Sequence, residues 1–292
     1  MINGLSKAML SLEGLSVGDA FGELFFNISP HHTSPSNLPK KIWHWTDDTH
    51  MALSIVEVLK TYGHIEQDAL AKAFARRYQE EPYRGYGGGA ARLLRQVAAG
   101  ADWHIISPTL FGSGSYGNGA AMRVAPIGGF FCHDLQRVTQ EALLSAVITH
   151  AHPEGQAGAI AVAIAAAIAA NRPYPSGHEF LQEVLKLIPE SITKKRIQLA
   201  IDIPANELQQ AVQLLGSGNE VSAQDTVPFC LWSAAYHLNN FEEALWKTVR
   251  GMGDCDTTCA IVGGIVALSA NEIPVAWQKQ REPLPSDFLF PM

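Results

Sequence analysis

The chain has 292 residues, 47% of them hydrophobic and 17% charged, and its formal net charge at pH 7 is −7. This composition is typical of a folded globular protein and excludes a disordered chain, while the length allows one or two domains. The longest basic run is the triplet at 194–196. Because phosphate neutralisation needs a basic patch, we expect no nucleic-acid partner.

The N-terminal stretch 1–22 has one lysine and an interrupted apolar pattern, which is not the pattern of a secretory signal. The most apolar run, 157–170, has 14 residues. A membrane-spanning helix needs roughly 18 or more, so we expect a buried helix and no membrane partner. The four cysteines lack the paired spacing of a zinc site. We therefore expect free thiols and a cytoplasmic location.

Helical spacing of apolar residues dominates the chain. The predicted helices are, in chain order, one that starts after Thr46, one around Leu70 and Phe74, and the segments 135–151, 157–170, 205–216, 225–238 and 257–270. Strand-type alternation is scarce, so we predict an all-α fold. The small residues of 157–170 and 257–270 favour close helix packing. We expect one multi-helix domain over residues 1–292, with a core at about 5–275 and an irregular C-terminal tail.

Two acidic clusters stand at predicted helix starts: Thr46, Asp47 and Asp48 in the first, and Asp254, Asp256 and Thr257 in the second. One interpretation is a pair of independent helix caps, because Asp and Thr satisfy free backbone N–H groups there. The other is that the two starts meet, so that four carboxylates converge and require cations. Oxygen ligands without paired His or Cys favour Mg²⁺, Mn²⁺ or Ca²⁺ over zinc. The charge argument favours the metal site.

Five segments resemble, in order, the signatures of the ADP-ribosylglycohydrolase family: "GLSVGDAFGE", "WTDDTHMAL", "GSYGNGAAMRVAPIG", "THAH" and "GDCDTTCAIVGG". The resemblance implies an all-α, single-domain fold with two bound metal ions at helix N-termini, usually Mg²⁺ and in some members Mn²⁺. By position, it places the metal ligands at Thr46, Asp47, Asp48, Asp254, Asp256 and Thr257.

A glycine-rich stretch at 110–129 is the main candidate for ligand binding. Its glycines would let backbone N–H groups approach an anion, and it has no Walker pattern. The resemblance implies that ADP-ribose is held by Gly114, Ser115, Tyr116, Gly117, Asn118 and Gly119, with Phe111 as an aromatic neighbour of the adenine. His150 matches a family histidine near the ligand. A weaker candidate for the border of the same cleft is "RGYGGG" at 84–89.

The sequence departs from the family pattern at one acidic position. Many relatives carry a glutamate four residues after the glycine of "GDAxG", where this chain has Phe26. Glu23 follows that glycine directly and is the possible substitute. Family members that cleave serine-linked ADP-ribose depend on the glutamate. Its absence here therefore argues against serine-linked ADP-ribose as the substrate.

The resemblance predicts a metal-dependent hydrolase that removes ADP-ribose from a modified acceptor, with ADP-ribosylarginine on a protein as the expected substrate. Asp48 or Asp256 is the expected general base. Two alternatives remain open. One is a non-catalytic ADP-ribose-binding relative. The other is a hydrolase of a different conjugate, such as a serine, nucleobase or free small-molecule derivative, or of a phosphoester. The sequence does not determine the oligomeric state.

Overall fold

The computed structural model of the protein describes residues 2–171, 176–270 and 272–288. These ranges contain fifteen α-helices and no β-strand, which confirms the predicted all-α class. In chain order, α1 to α15 are Ile2–Glu23, Asp47–Tyr62, Gln67–Glu80, Gly88–Ala98, Trp103–Ile106, Ala125–Phe130, Leu135–Val147, Pro153–Ala169, Gly177–Leu185, Ile192–Ala200, Leu208–Leu215, Ala223–Ala235, Phe241–Val249, Cys255–Ala270 and Val275–Gln280. Single 3-10 turns occupy Leu24–Phe26, Pro35–Asn37, Ser107–Gly112, Asn118–Ala120 and Ser286–Phe288. None of the helices described is long and apolar enough to cross a membrane.

The central feature of the fold is the close packing of α1 on α14. Gly14, Gly18 and Gly22 lie four residues apart on α1, so they share one helix face. A methyl group at Gly18 would lie 2.1 Å from the carbonyl oxygen of Cys259, and one at Gly22 would lie 2.1 Å from that of Cys255. Only glycine allows this approach. As a result, the C-terminal half of α1 lies directly beside the start of α14.

The predicted helices are present, with shifted ends. The segment predicted at 135–151 ends as α7 at Val147, and His152 instead caps α8, where its Nδ1 accepts a hydrogen bond from the Glu154 N–H at 3.1 Å. Gly216 ends α11 with a φ of 89°, a conformation that favours glycine. Pro228 lies inside α12 and lacks an N–H. The carbonyl of Gln224 that it leaves without a helical partner accepts a hydrogen bond from Arg196 at 2.9 Å.

The buried core continues beyond residue 275. Trp277 stacks on Phe21 with ring centroids 4.5 Å apart, and Leu284 and Phe288 are also buried. An isolated β-bridge pairs Trp43 with Arg281, beside the start of α2. Residues 277–288 therefore pack on the same core as α1, and only residues 289–292 of the predicted irregular tail lie outside the described residues.

Candidate metal centre and ligand cavity

The start of α2 is fixed by Asp19, a fully buried residue of α1. Its carboxylate accepts hydrogen bonds from the backbone N–H groups of Thr46 and Thr49, at 2.9 and 3.0 Å. It also accepts one from the Thr49 hydroxyl at 2.6 Å. Thr46 Oγ1 lies 2.9 Å from Asp19 Oδ1 and 3.0 Å from Asp48 Oδ2. Asp19 thus anchors the turn that presents Asp47 and Asp48.

The start of α14 supplies the second acidic cluster. The Asp254 carbonyl accepts the first helical hydrogen bond, from the Thr258 N–H at 2.9 Å. Asp256 lies in the first turn, and its Oδ1 accepts a hydrogen bond from the Thr257 N–H at 2.8 Å. The Asp254 carboxylate accepts a hydrogen bond from the side-chain amide of Asn118 at 2.7 Å. Asn118 therefore ties the glycine-rich segment to this cluster.

The two helix starts meet, so the interpretation as separate caps is wrong. Carboxylate oxygens of Asp19, Asp48 and Asp256 all lie within 4.8 Å of one another. Burial raises the pKa of Asp48 and of Asp256 well above the usual range, and neighbouring carboxylates raise both further. Burial, together with Asp19 and Asp254, raises the pKa of Asp47 to about 8. Burial also raises the pKa of Asp19 to about 6, although its hydrogen bonds act in the opposite direction.

The residues of this acidic cluster fit a divalent metal ion. Asp48 Oδ1 is buried and has no hydrogen-bond partner among the described residues. An orphaned carboxylate oxygen is costly unless a cation or a proton satisfies it. Thr46 and Thr49 donate hydrogen bonds to both carboxylate oxygens of Asp19. Asp19 therefore positions the other acidic residues, and few of its lone pairs remain free to bind a metal ion. The donor set is entirely oxygen, which suits a hard cation.

A cavity of about 440 Å³ opens over the acidic cluster, within the usual size of a small-ligand site. Its wall contains most of the predicted site residues: Asp47, Asp48, Phe111, Ser115, Tyr116, Gly117, Asn118, Gly119, His150, Asp254, Asp256 and Thr257. Thr46 and Gly114 are not part of this wall. Gly114 adopts a φ of 87° and packs against the backbone of Ala151 and His152.

The glycine-rich segment differs from the expected row of free N–H donors. The Gly117 N–H donates to the hydroxyl of Ser115 at 3.2 Å, and the Asn118 N–H donates to the Val221 carbonyl at 3.2 Å. Gly117 and Gly119 instead make room for His150, because a methyl group at either position would lie 3.2 Å from its Nε2. At least part of the glycine pattern therefore serves to admit the histidine.

The two aromatic candidates border the cavity outside the core. Phe111 is 72% exposed and Tyr116 is 48% exposed. Tyr116 packs edge-on against His152, with centroids 5.4 Å apart. Phe111 has a φ of 53°, and Val221 on the same cavity wall has a φ of 51°, both unusual for residues with a Cβ. Strained backbone of this kind clusters at binding sites.

Glu23 lies at the edge of the acidic cluster but does not line the cavity. Partial burial and the nearby Asp19 carboxylate raise its pKa. Phe26, at the family's glutamate position, is exposed.

Sequence reasoning missed Asp19 and gave too little weight to the 84–89 segment. Asp19 is one of two acids in "GLSVGDAFGE", where the small and apolar neighbours indicate burial, and that burial signal could have identified it. Four glycines of the second segment line the cavity: Gly85, Gly87, Gly88 and Gly89. A methyl group at Gly89 would lie 2.7 Å from the Phe111 ring, so this wall and the aromatic rim are in direct contact.

Comparison with known proteins agrees with this architecture. Residues 2–288 match the ADP-ribosylglycohydrolase family. ADP-ribosylhydrolase ARH3 of Homo sapiens is 27% identical, over 95% of this chain and 90% of that protein. ADP-ribosylarginine hydrolase Tri1 of Pseudomonas putida is 26% identical, over 94% of this chain and 73% of that protein. A solved structure of an ADP-ribosylglycohydrolase-related protein complex shares the fold, with a TM-score of 0.69 at 21% identity, over 97% of this chain and 94% of that one. The chain therefore belongs to the ADP-ribosylglycohydrolase family and is a hydrolase that acts on ADP-ribose glycosidic bonds.

Proposed function

We propose that the protein is a magnesium-dependent hydrolase that releases ADP-ribose from ADP-ribosylarginine on a protein. The observation that carries this proposal is the unpartnered Asp48 Oδ1, within a cluster of five carboxylates beneath a ligand-sized cavity. Arginine as the acceptor is supported by the relative named ADP-ribosylarginine hydrolase and by Phe26 at the family's glutamate position.

The proposed ligands of two Mg²⁺ ions, with Mn²⁺ as a possible replacement, are Thr46, Asp47, Asp48, Asp254, Asp256 and Thr257. Their oxygen donors match the preference of both ions. When bound, such ions supply electrostatic stabilisation of developing negative charge and lower the pKa of nearby water. Asp19 stays outside the ligand set, where it orients Thr46 and the first turn of α2.

The chain's own groups would hold the substrate and move a proton. Tyr116 and Phe111 lie on the cavity wall, where they can pack against the adenine, and Asn118 fixes the wall against Asp254. The distal ribose would then lie over the acidic cluster. Asp48 or Asp256 accepts the proton of the attacking water, because both residues line the cavity above the acidic cluster.

A second candidate substrate is ADP-ribosylserine. Glu23 favours it, because burial and the neighbouring Asp19 charge raise the pKa of this carboxyl at the edge of the acidic cluster. This candidate requires a local shift at the end of α1 that brings Glu23 to the cavity and lets it take the place of the glutamate that Phe26 replaces. We also infer a cytoplasmic location, supported by four free, buried cysteines.

The test uses two protein substrates, one ADP-ribosylated on arginine and one on serine, each with Mg²⁺ or with a chelator. We expect Mg²⁺-dependent release of free ADP-ribose from the arginine substrate at least tenfold faster than from the serine substrate. Faster release from serine that Glu23→Gln abolishes would select the second candidate. ADP-ribose binding by calorimetry without release from either substrate would instead support a non-catalytic role.

A further inference from the structure

A buried chain of polar groups leads from the core to the ligand cavity. The guanidinium of Arg123 is fully buried, 4.4 Å from the Phe74 ring centroid. Its Nη2 donates to the Ser145 carbonyl at 3.1 Å and to the Thr149 hydroxyl at 2.9 Å. The Thr149 hydroxyl lies 2.7 Å from Nδ1 of His150. Arg123 is not part of the cavity wall, so ligand binding does not explain this arrangement.

The direction of each hydrogen bond follows from donor counting. An arginine side chain has donors only, so Thr149 Oγ1 must accept from Arg123. Thr149 is buried, and its hydroxyl proton has no acceptor among the described residues other than His150 Nδ1. A buried hydroxyl proton without an acceptor is costly. Thr149 therefore donates to Nδ1, which must carry a lone pair, and the ring proton of a neutral His150 resides on Nε2.

The other ring nitrogen points toward the ligand. His150 is 94% buried, and its Nε2 makes no hydrogen bond to any residue in the described ranges. His150 lines the cavity, and Nε2 lies beside Gly117 and Gly119, where a side chain would obstruct it. Burial and the Arg123 charge lower the pKa of His150 to about 3, so the ring is neutral. A neutral ring with its proton on Nε2 presents one N–H to the cavity.

We propose that Arg123 and Thr149 are positioning residues that hold His150 in its Nε2–H tautomer, so that Nε2 is a fixed hydrogen-bond donor to an oxygen atom of the bound ligand. The identity of that ligand as ADP-ribose rests on the proposed function, but the tautomer does not. In this arrangement His150 recognises an acceptor oxygen of the diphosphate or the ribose and transfers no proton.

The test is a long-range ¹H–¹⁵N correlation spectrum of ¹⁵N-histidine-labelled full-length protein, with His150 assigned from the His150→Gln variant. We expect the shift pattern of an Nε2–H tautomer in the wild type. Arg123→Met frees the Thr149 hydroxyl to accept, so we expect an Nδ1–H population to appear. Arg123→Lys keeps a donor to Thr149, and in this matched control we expect the wild-type pattern.

Added ADP-ribose should shift the Nε2–H resonance, while ADP, which lacks the distal ribose, shows whether the diphosphate alone is sufficient. An Nδ1–H pattern in the wild type would overturn the proposal, even if the Arg123 variants fail to fold. ADP-ribose that binds by calorimetry but leaves the Nε2–H resonance unmoved would overturn the donor role. Absence of ADP-ribose binding would count against the proposed function, and the wild-type tautomer would still decide the role of Arg123 and Thr149.

Discussion

The hydroxyl of Thr49 donates a 2.6 Å hydrogen bond to Oδ2 of Asp19, and both residues are fully buried. This bond joins α2 to α1 at the point where the first acidic cluster begins. Because Asp19 also accepts the Thr46 N–H, the position of Asp48 depends on a carboxylate from a different helix. The proposed metal site is therefore built on a contact between elements that are separated in the sequence.

Replacement of Thr49 by Val should weaken this anchor with little change in volume. A hydrogen bond to a charged group contributes about 1.5–3 kcal/mol, so we expect a loss of that size in the free energy of unfolding with Mg²⁺ present. Thr49→Ser keeps the hydroxyl and should lose less than about 1.5 kcal/mol. Denaturant titrations measure both. A loss in Thr49→Ser with none in Thr49→Val would show that the methyl packing, and not the hydrogen bond, stabilises this position.

The close packing of α1 and α14 predicts a severe effect of Gly18→Ala. The added methyl group would meet the Cys259 carbonyl at 2.1 Å, so the helices must separate. We expect a loss of at least about 3 kcal/mol in unfolding free energy, at or above the upper end of the usual overpacking range. Gly88→Ala is the matched control, because nothing lies within 4 Å of the added group, and it should change stability by less than about 1 kcal/mol. A mild Gly18→Ala would contradict the packing account.

The raised pKa values of Asp47 and Asp19 predict how the metal-free protein responds to pH. Both carboxyls bind protons more tightly in the folded state, at about 8 and about 6, than at their ordinary value of 3.8. The folded protein therefore holds extra protons within the window from about pH 4 to 8, and its unfolding free energy falls as pH rises through that window. Each proton that only the folded state retains lowers the unfolding free energy by at most about 1.4 kcal/mol for each unit of pH increase.

We accordingly expect the melting temperature of the chelated protein to fall by several degrees between pH 5.5 and pH 8.5. Saturating Mg²⁺ should remove most of that fall, because the cations replace the protons as partners of the carboxylates. Asp47→Asn should reduce the slope of the chelated protein. A melting temperature that rises with pH in chelator would contradict the burial of charge at this site.

The ion pair of Arg84 and Glu282 is expected to fix the position of the 84–89 segment, whose glycines line the cavity. The Arg84 guanidinium donates to both carboxylate oxygens of Glu282, at 2.7 and 2.8 Å, and lies 3.7 Å from the Trp45 ring centroid. The Arg84 carbonyl accepts the Asp47 N–H at 2.7 Å. Glu282→Gln should therefore raise KM several-fold with a smaller change in kcat, and cost about 1–3 kcal/mol of stability.

The control for this pair is Glu80→Gln, which removes an exposed partner of Arg76 and should change stability by less than about 1 kcal/mol. A double-mutant cycle of Arg84→Lys with Glu282→Gln measures the coupling directly. Coupling below about 0.5 kcal/mol would show that the two side chains act independently.

Sequence alone predicted much of the fold and the convergence of the two acidic clusters. The helical periodicity and the small residues of 157–170 and 257–270 predicted the all-α class and close packing, because both follow from local composition. The two Asp-Thr clusters were recognisable because carboxylates that converge repel one another, so that their convergence requires bound cations. Asp19 was missed because its small and apolar neighbours indicate burial but not a role, which becomes visible only when its partners, Thr46 and Thr49, are placed in space.

The ligand wall was harder to predict for the same reason. A glycine can adopt a positive φ, leave its backbone N–H open to a ligand, or allow a neighbouring group to approach closely. The sequence does not distinguish these three roles. Gly114 adopts a positive φ, whereas Gly117 and Gly119 make room for His150. Arg123 carried no signal at all, since a buried arginine is recognised only from its surroundings. The Glu282 contact depends on the return of the chain end to α2.

The most direct test of the central claim is release of ADP-ribose from an arginine-ADP-ribosylated protein by the wild type and by Asp256→Asn. Asp202→Asn, an exposed carboxylate outside the cavity, is the control. With Mg²⁺ we expect release by the wild type and the control, a loss of at least about a hundredfold in Asp256→Asn, and no release by any of them in chelator. Full release by the wild type in chelator, or by folded Asp256→Asn with Mg²⁺, would contradict a metal-dependent hydrolase built on this acidic cluster.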